Sequence, residues 1–446
     1  MSIFKAYDIR GIVPTELDAE KSYDIARAAA EYFAARNMVV GTDVRDSRDL
    51  LFTAFTEGLR DSGVDTLSIG TVSTPILYYT TAVENYDAGV MITASHNPRE
   101  YNGFKFCRRG AVPVPSDELQ EIKRLTEARQ FSSSTRGSLT THDPLPAYRQ
   151  HIYKFARFEQ SHKIVVDTAN AVCGSYLMDL YSDLPLDIVP LYFEVDSQFP
   201  NHAPNPLLEE NLVDIKQKVV ASGAELGAAL DGDGDRVIFI DESGETVPGD
   251  FTTILLAQAL HDLGERDFNV LIDCRSSRVM EEIFSEYGIS TTRSRVGHTF
   301  IKKTMRSNNS LCGGELSGHY YFRDSYFTEN ADIALFLILQ LMERKGKPLS
   351  ELVAPLKKYR QSGELNFVVD DVPRVLKEIE TRFADADQEW IDGLTINYPD
   401  WWCNIRPSNT EPVLRLNLEA ADSTLLQEKL GLISQLIQPQ GSGSED

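Results

Sequence analysis

The chain has 446 residues, of which 42% are hydrophobic and 25% are charged, values typical of soluble globular proteins. Domains commonly hold about 150 residues, so this length predicts about three or more of them. Its 44 Lys and Arg face 67 Asp and Glu, and the resulting formal charge of −23 disfavours binding to nucleic acids and to anionic membrane surfaces. An anionic ligand must therefore be held by a local cluster of cationic side chains.

The five cysteines are scattered, and none forms a C-x-x-C pair, so the sequence indicates neither a disulfide framework nor a zinc site. No apolar run reaches the roughly 18 to 20 residues that span a bilayer. The opening MSIFKAYDIRG lacks the long apolar segment of a secretory signal. We therefore expect a cytoplasmic protein with reduced cysteines and with no membrane or nucleic-acid partner.

Three stretches along the chain share one pattern, an apolar strand that ends in Asp and is followed by a helix-like segment and another strand. They are VVGTDVRDSR (39–48), KIVVDTANAV (163–172) and NVLIDCRSSR (269–278). This β-α-β pattern predicts three similar α/β units. Any α/β protein could show such similarity by chance, so the pattern alone leaves a true repeat open.

Polar, turn-rich connectors near 130–146, 241–250 and 357–366 divide the chain. After the last connector the pattern changes to short strands at 364–370 and 413–419 around a helix at 372–385, which is typical of an α+β domain. The predicted domains are 1–142, 143–245, 246–360 and 361–440, followed by a disordered polar tail at 441–446.

The stretch MITASHNP places Ser95 directly after the predicted strand 87–93. Open α/β sheets bind their ligands at the carboxyl ends of strands, and Pro98 ends the strand, so we expect the Ser95 hydroxyl to be displayed rather than buried. A hydrolase nucleophile would need a G-x-S-x-G context, which is missing, so acyl transfer is disfavoured. A serine that only caps a helix or shapes a turn remains an alternative for this segment alone.

The stretch LDGDGDRVIFID (230–241) places three aspartates at alternate positions, separated by glycines. Three carboxylates that can turn toward one point predict a hard-cation site, most simply for Mg²⁺, at Asp231, Asp233 and Asp235. Glu242 occupies the twelfth place of a calcium-binding EF-hand loop. That interpretation is disfavoured because Arg236 stands where the loop needs glycine and VIFI reads as a strand. A solvated acidic turn is the remaining alternative.

Two further stretches suit a polar, anionic small molecule. In CGGELSGHYYF (312–322), Glu315, Ser317 and His319 alternate with small residues, an arrangement suited to sugar hydroxyls. In NIRPSNTEPVLRL (404–416), a guanidinium is followed by short polar side chains that can surround a phosphate. The residues of this second group are Arg406, Ser408, Asn409 and Thr410. A purely structural turn would explain its prolines equally well.

Together these segments resemble the α-D-phosphohexomutase family. The motifs TASHNP, DGDGDR, GELSGH and RPSNTEP stand in the family's order, and the resemblance extends from FKAYDIRG (4–11) to the last loop. The GELSGH and SNTEP versions resemble the phosphomannomutase/phosphoglucomutase branch. Phosphoglucosamine mutases, which usually carry Gly in place of Asn409, are the close alternative. The resemblance implies three similar α/β domains with mixed sheets and a C-terminal α+β domain around a central active-site cleft.

The resemblance implies a reversible transfer of phosphate between the 1- and 6-positions of a hexose, with mannose as the expected sugar and glucose as the second. Ser95 is expected to be the phosphoserine and a further metal ligand, Mg²⁺ the cofactor, and hexose 1,6-bisphosphate the intermediate and activator. The chain is expected to be a monomer or a small homo-oligomer. A metal-dependent sugar phosphatase is a more distant alternative.

The resemblance also assigns the remaining site residues. His298 is the base that the resemblance implies. We expect closure of the last domain, and the segment around Gly363 is our own candidate for its hinge. The family commonly has Lys where this chain has Arg275, which puts sugar preference in question. The other expected catalytic residues are Arg10, His96, Lys105 and Arg236. The expected substrate-binding residues are Tyr7, Arg275, Glu315, Ser317, His319, Arg406, Ser408, Asn409 and Thr410.

Overall fold

A computed structural model of the chain describes residues 3–132, 135–407 and 413–438. Within these residues four sheets follow one another along the chain, three of them mixed and the last antiparallel. The predicted architecture of three α/β domains and one α+β domain is confirmed. The domain boundaries themselves stay predictions; β12 (Thr246–Val247), just after the predicted boundary at 245, pairs with the second sheet.

The first sheet has the strand order β1-β5-β4-β2-β3-β7, with β6 paired to β5. Its central strands are apolar on both faces because helices cover both sides of the sheet. The strands are β1 (Ile9–Ile12), β2 (Asn37–Thr42), β3 (Asp65–Thr71), β4 (Ala88–Ile92), β5 (Tyr101–Arg108), β6 (Val112–Pro113) and β7 (Leu139–Thr141). The helices are α1 (Ala19–Tyr32), α2 (Arg48–Asp61), α3 (Thr74–Val83) and α4 (Ser116–Ala128).

The second sheet has the order β12-β11-β10-β8-β9, with β8 parallel to both of its neighbours. A tight antiparallel connection between β10 and β11 carries the three predicted metal-binding aspartates. The remaining strands are β8 (His162–Asp167), β9 (Leu186–Leu191), β10 (Leu226–Leu230) and β11 (Val237–Asp241). The helices are α5 (Leu145–Ile152), α6 (Leu177–Leu180) and α7 (Val213–Ser222).

The third sheet has the order β14-β13-β15-β16-β17. Helices α8 and α11 are buried along most of their length and contribute to the largest core cluster. The strands are β13 (Asn269–Asp273), β14 (Ser290–Ser294), β15 (Cys312–Gly314), β16 (Tyr320–Phe322) and β17 (Thr328–Glu329). The helices are α8 (Gly249–Asp262), α9 (Val279–Glu286), α10 (His298–Asn308), α11 (Ala331–Lys345) and α12 (Leu349–Val353).

The fourth sheet is antiparallel throughout, in the order β18-β22-β21-β20-β19. Asp371 caps the first of its two helices by accepting a hydrogen bond from the backbone N–H of Arg374. The strands are β18 (Arg360–Val368), β19 (Asp387–Glu389), β20 (Leu394–Asn397), β21 (Trp401–Pro407) and β22 (Val413–Ala420). The helices are α13 (Val372–Arg382) and α14 (Ser423–Ile437).

The same turn follows one interior strand in each of the first three sheets. The aspartate at the strand end accepts a hydrogen bond from the backbone N–H two residues later, at 3.0, 2.8 and 2.7 Å. The aspartates are Asp43, Asp167 and Asp273. This shared local geometry supports the repeat that the sequence pattern left open.

The core of the fourth domain is separate from the largest core cluster of the first three domains. One cluster of buried side chains runs continuously through parts of the first three domains. The fourth domain has a separate core built around its own sheet and its two helices. A domain with its own core can move as a body, as closure over a cleft requires.

Among the described residues, no helix combines the length and the apolar character needed to cross a membrane. All five cysteines are buried and free.

Candidate active site

Ser95 lies just beyond the carboxyl end of β4. Its hydroxyl donates to Asp231 Oδ2 at 2.9 Å, so the first and second sheets meet at this hydrogen bond. The expectation of a displayed hydroxyl was wrong: Ser95 is only 1% exposed because the loop that carries Asp231 covers it. Its φ of +51° is left-handed, a conformation that costs a non-glycine residue about 1–2 kcal/mol. Surrounding contacts must therefore hold the loop in this shape.

Arg45 supplies those contacts, and sequence reasoning missed it. The guanidinium is 1% exposed and pairs with Asp43 Oδ2 at 3.1 Å. Its two terminal nitrogens donate to four carbonyl oxygens of the loop at 2.6 to 2.8 Å, those of Ser95, Asn97, Pro98 and Tyr101. Asp43 also accepts from Thr93 Oγ1 at 2.7 Å, and that oxygen accepts from the Ser95 N–H at 2.9 Å. The signal was present in the sequence as the D-x-R shared by two of the repeats.

The three aspartates of the β10–β11 connection are buried, and their carboxylate oxygens lie within 4.8 Å of one another. Burial and the neighbouring Asp235 and Asp233 raise the pKa of Asp231 to about 8. Among the described residues, Asp233 Oδ1 is buried without a hydrogen-bond donor. Crowded, partly unsatisfied carboxylate oxygens fit a divalent cation. Glu242 does not join them, because it accepts from the N–H of Ser350 at 3.2 Å, which rules out the EF-hand interpretation.

Two glycines allow the aspartate loop to pack closely against its neighbours, Ser95 and Cys173. A Cβ on Gly232 would lie 2.4 Å from the carbonyl oxygen of Ser95, closer than atoms can pack. Gly234 has a φ of +69°, and a Cβ there would lie 2.4 Å from Cys173 Sγ. The alternating glycines therefore serve close approach as well as flexibility.

Lys105, on β5, reaches across to the same loop. Its Nζ donates to Asp233 Oδ2 at 2.8 Å and to Asp235 Oδ2 at 2.7 Å. Burial lowers the pKa of Lys105, but the two carboxylates raise it by more, so the ammonium stays charged. Thr74, at the start of α3, also donates to Asp233 Oδ2 at 2.6 Å. The first domain thus holds the aspartate loop from two directions.

Arg10 and His96 lie on the other side of Ser95. Arg10 pairs with Asp8 through Nε at 2.8 Å and also donates to Asn97 Oδ1 in the serine loop. His96 Nδ1 lies 3.2 Å from Ser95 Oγ. Burial, together with nearby Arg236 and Arg10, lowers the pKa of His96 well below 6.5, so its imidazole is neutral.

A chain of contacts leads from the aspartates into the third domain. His319 Nε2 lies 3.3 Å from Asp235 Oδ1 and 3.1 Å from Arg236 Nε. Its Nδ1 lies 2.9 Å from Glu315 Oε2 and 3.1 Å from Ser317 Oγ. Burial and Arg236 lower the pKa of His319, but the two carboxylates raise it to about 9. An imidazolium therefore joins the metal loop to the predicted sugar-recognition loop.

The Glu315 carboxylate accepts more hydrogen bonds from the protein itself than its sequence motif predicts. It accepts from the N–H of Gly297 at 3.0 Å and from Tyr321 Oη at 2.6 Å, and it is 3% exposed. Burial raises the pKa of Glu315, but the hydrogen bonds from His319 and Tyr321 lower it to about 2. The carboxylate is thus ionised, and it anchors the turn that precedes α10.

His298 begins α10, and its ring packs edge-on against Tyr7 with 5.7 Å between centroids. Burial, then Lys302 and Lys105, lowers the pKa of His298 well below 6.5, so the imidazole is neutral and can accept a proton. Its Nδ1 lies 3.9 Å from Glu329 Oε1, which sequence reasoning did not single out. Burial raises the pKa of Tyr7 to about 12, so that side chain remains a donor.

Three arginines gather where the third and fourth domains meet. Arg275 pairs with Asp273 through Nη2 at 2.7 Å and reaches Glu364 through Nη1 at 3.2 Å. Arg406, which is 2% exposed, donates to the same Glu364 carboxylate at 2.8 Å, and Arg415 donates to it at 2.9 Å. Ser408, Asn409 and Thr410 lie outside the described residues.

The described site residues thus belong to one region that all four domains supply. Direct contacts run from Ser95 to the aspartates, then to His319 and Glu315. The N–H of Leu316 donates to Asp273 Oδ2 at 3.1 Å, which continues the network to Arg275 and to the fourth domain. One end of this region offers a hydroxyl and crowded carboxylates, and the other offers guanidinium groups.

The chain matches four family models in succession. The phosphoglucomutase/phosphomannomutase alpha/beta/alpha domain I matches residues 1–133, domain II residues 146–244, domain III residues 248–359, and the C-terminal domain residues 364–429. The order of these matches agrees with the order of the four sheets along the chain.

Individual proteins resemble the chain over its length. A phosphomannomutase of Methanocaldococcus jannaschii is 38% identical, with 98% of both chains covered. A crystal structure of a phosphoglucomutase/phosphomannomutase family protein from Burkholderia thailandensis has a TM-score of 0.91 at 31% identity, with 98% of both chains covered. An Aspergillus fumigatus N-acetylphosphoglucosamine mutase, crystallised with GlcNAc-6P and magnesium, shares the fold at a TM-score of 0.65 and 15% identity, covering 96% of this chain and 94% of that one.

The fold and these matches define an enzyme of the phosphohexomutase class. The chain belongs to the phosphoglucomutase/phosphomannomutase family.

Proposed function

We propose that this enzyme interconverts the 1-phosphate and the 6-phosphate of a hexose, with mannose preferred and glucose accepted, by way of a phosphoserine at Ser95 and a bisphosphorylated sugar. The observation that carries this proposal is the 2.9 Å contact between the Ser95 hydroxyl and Asp231, which joins a nucleophilic oxygen to the cation-binding carboxylates. The similarity to phosphomannomutases supports the choice of mannose.

In this mechanism the bond between phosphorus and Ser95 Oγ breaks as a bond to the sugar hydroxyl forms. Neutral His298 accepts the hydroxyl proton and then releases it to solvent, while Ser95 Oγ keeps the electron pair of the broken bond and takes up a proton from solvent. Mg²⁺ would be held by Asp231, Asp233, Asp235 and a phosphate oxygen on Ser95, and would supply positive charge against the transferring group. The second half-reaction runs in reverse after the bisphosphate turns round, and hexose 1,6-bisphosphate restores any enzyme that has lost its phosphate.

The chain's cations hold the ends of the substrate in this proposal. Lys105 and Arg236 lie at the reacting end, where fixed positive charge stabilises the transition state. Arg275 and Arg406, with the loop at 408–410, bind the non-reacting phosphate. Binding at that remote end positions the reactive hydroxyl for in-line attack.

The remaining assigned residues surround the sugar between these ends. Arg10 and His96 lie at the Ser95 loop, and Tyr7 packs against His298. Glu315, Ser317 and His319 orient the sugar hydroxyls. The enzyme's action in the cytoplasm, and its state as a monomer or small homo-oligomer, stay predictions.

The test compares mannose 1-phosphate, glucose 1-phosphate and glucosamine 1-phosphate in Mg²⁺ with catalytic hexose 1,6-bisphosphate. We expect 6-phosphate formation to be fastest with mannose, little release of inorganic phosphate, and near-complete loss of activity in Ser95→Ala with the fold retained. Mass spectrometry should find phosphate on the peptide that contains Ser95. Substantial turnover by Ser95→Ala would overturn the phosphoserine, net phosphate release would favour a phosphatase, and faster turnover of glucosamine 1-phosphate would favour a phosphoglucosamine mutase.

A further inference from the structure

Glu364 receives more arginine contacts than an ordinary surface carboxylate. Its Oε2 accepts from Arg275 at 3.2 Å and from Arg406 at 2.8 Å, and its Oε1 accepts from Arg415 at 2.9 Å. The arginines come from two domains, because Arg275 follows β13 and the other two lie on β21 and β22. One carboxylate thus joins the third domain to the fourth.

The side chain of Glu364 is 25% exposed, so solvent and ligands can reach it. Burial raises the pKa of Glu364, but the three guanidinium groups lower it by more, so the carboxylate is ionised. Guanidinium groups bind carboxylates and phosphates through the same planar, bidentate geometry. The three arginines therefore form a receptor for an oxyanion, and Glu364 fills it.

Charge favours a phosphate in place of this carboxylate. If Glu364 withdraws, the three guanidinium groups lose a singly charged partner, and a phosphate dianion in its place brings one more negative charge. Asp273 keeps two hydrogen bonds to the Arg275 side chain in either case, so Arg275 stays oriented.

The backbone around Glu364 can allow this withdrawal. Gly363 has a φ of +68°, and nothing lies within 4 Å of the position a Cβ would take. The pairing of β18 with β22 shifts register between Gln361 and Glu364, so a bulge directly precedes Glu364. A cavity of about 40 Å³ adjoins this bulge and is lined in part by Arg275, Gly363 and Asn417. The carboxylate therefore lies next to a loosely packed bulge at the join between the two domains.

We propose that Glu364 is an internal stand-in for the non-reacting phosphate of the substrate. In the free enzyme it holds the three arginines together, the sugar phosphate displaces it on binding, and it returns when that phosphate leaves. This inference rests on the proposed function, which requires the bisphosphate to release its distal phosphate and turn round between two half-reactions. Glu364 keeps the arginines assembled during that step and lowers the barrier to release, because the departing phosphate is replaced by another anion.

The test is Glu364→Gln in the full chain with Mg²⁺, with inorganic phosphate as the probe. Because the variant lacks the competing charge, phosphate should inhibit it at about tenfold lower concentration than it inhibits the wild type. The phosphate-dependent rise in melting temperature should increase in parallel. KM for mannose 1-phosphate should fall together with kcat, since release and turning of the bisphosphate become slower.

Glu118→Gln is the matched control, because Glu118 also accepts from an arginine, Arg108, and its side chain is likewise 25% exposed. Phosphate inhibition should be unchanged in this variant. Phosphate binding that is equal or weaker in Glu364→Gln would overturn the inference and leave Glu364 as a structural brace.

Arg406→Gln separates this inference from the proposed function. If Arg406→Gln weakens phosphate binding while Glu364→Gln does not strengthen it, the distal phosphate site stands and only the stand-in role fails. If Arg406→Gln leaves phosphate binding unchanged, the proposed distal site itself fails, and the inference fails with it.

Discussion

Replacing Arg45 with Met tests whether the serine loop depends on one buried guanidinium. The change leaves Asp43 buried without its counter-ion and four loop carbonyls without their donor. Breaking a buried ion pair in this way costs about 3–5 kcal/mol of folding stability. It also removes the guanidinium that holds the Ser95 carbonyl, and so weakens the support for the left-handed φ of +51° at Ser95. A displacement of Ser95 by about 1 Å would lower kcat on the order of 100-fold.

The assay measures kcat for mannose 1-phosphate and the urea unfolding midpoint of the same preparation, at a temperature where circular dichroism shows the variant to be folded. Arg306→Met is the matched control, because Arg306 also donates to backbone carbonyls of a different loop, those of Gly110 at 2.9 Å and Ala111 at 3.2 Å. Arg306→Met should lower stability but leave kcat unchanged. Wild-type kcat in Arg45→Met, or an equal loss of kcat in both variants, would refute the reasoning.

Three further predictions follow from the site. Mg²⁺ should raise the melting temperature of the wild type, because it relieves the repulsion among the buried carboxylates. Asp231→Asn should lose most of that rise. An unchanged rise in the variant would place the cation elsewhere. The neutral His298 contributes stability that is present above the unfolded pKa of about 6.5 and lost as pH falls below it. The unfolding free energy should therefore fall less between pH 7 and pH 5 in His298→Gln than in the wild type. An equal fall in both proteins would contradict this. The methyl group of Gly363→Ala meets no neighbouring atom, but the positive φ at this position costs about 1–2 kcal/mol. If this residue is the hinge, kcat should fall severalfold while circular dichroism shows the variant to be folded at the assay temperature. Unchanged kcat would dismiss the hinge.

The sequence by itself determined the fold class and the grouping of the three aspartates. Apolar strands that end in Asp predicted three α/β domains because the side chains of such strands are buried on both faces wherever the sheet forms. The alternating Asp and Gly of residues 231–235 predicted a cation site because that local spacing already brings carboxylates together. The fold class is confirmed and the three carboxylates lie together, because each of these inferences depends on residues close together in the chain; the cation itself stays a prediction.

Only the tertiary structure decided what surrounds those residues. Ser95 is buried because a loop 136 residues away covers it, and Arg45 acts on carbonyl groups of backbone that lies about 50 residues further along. Glu364 meets Arg275 across a domain join, a contact that no local pattern contains. Backbone carbonyls and carboxylates can accept from any donor that reaches them, so their partners are chosen by the packing of whole domains and not by neighbouring sequence.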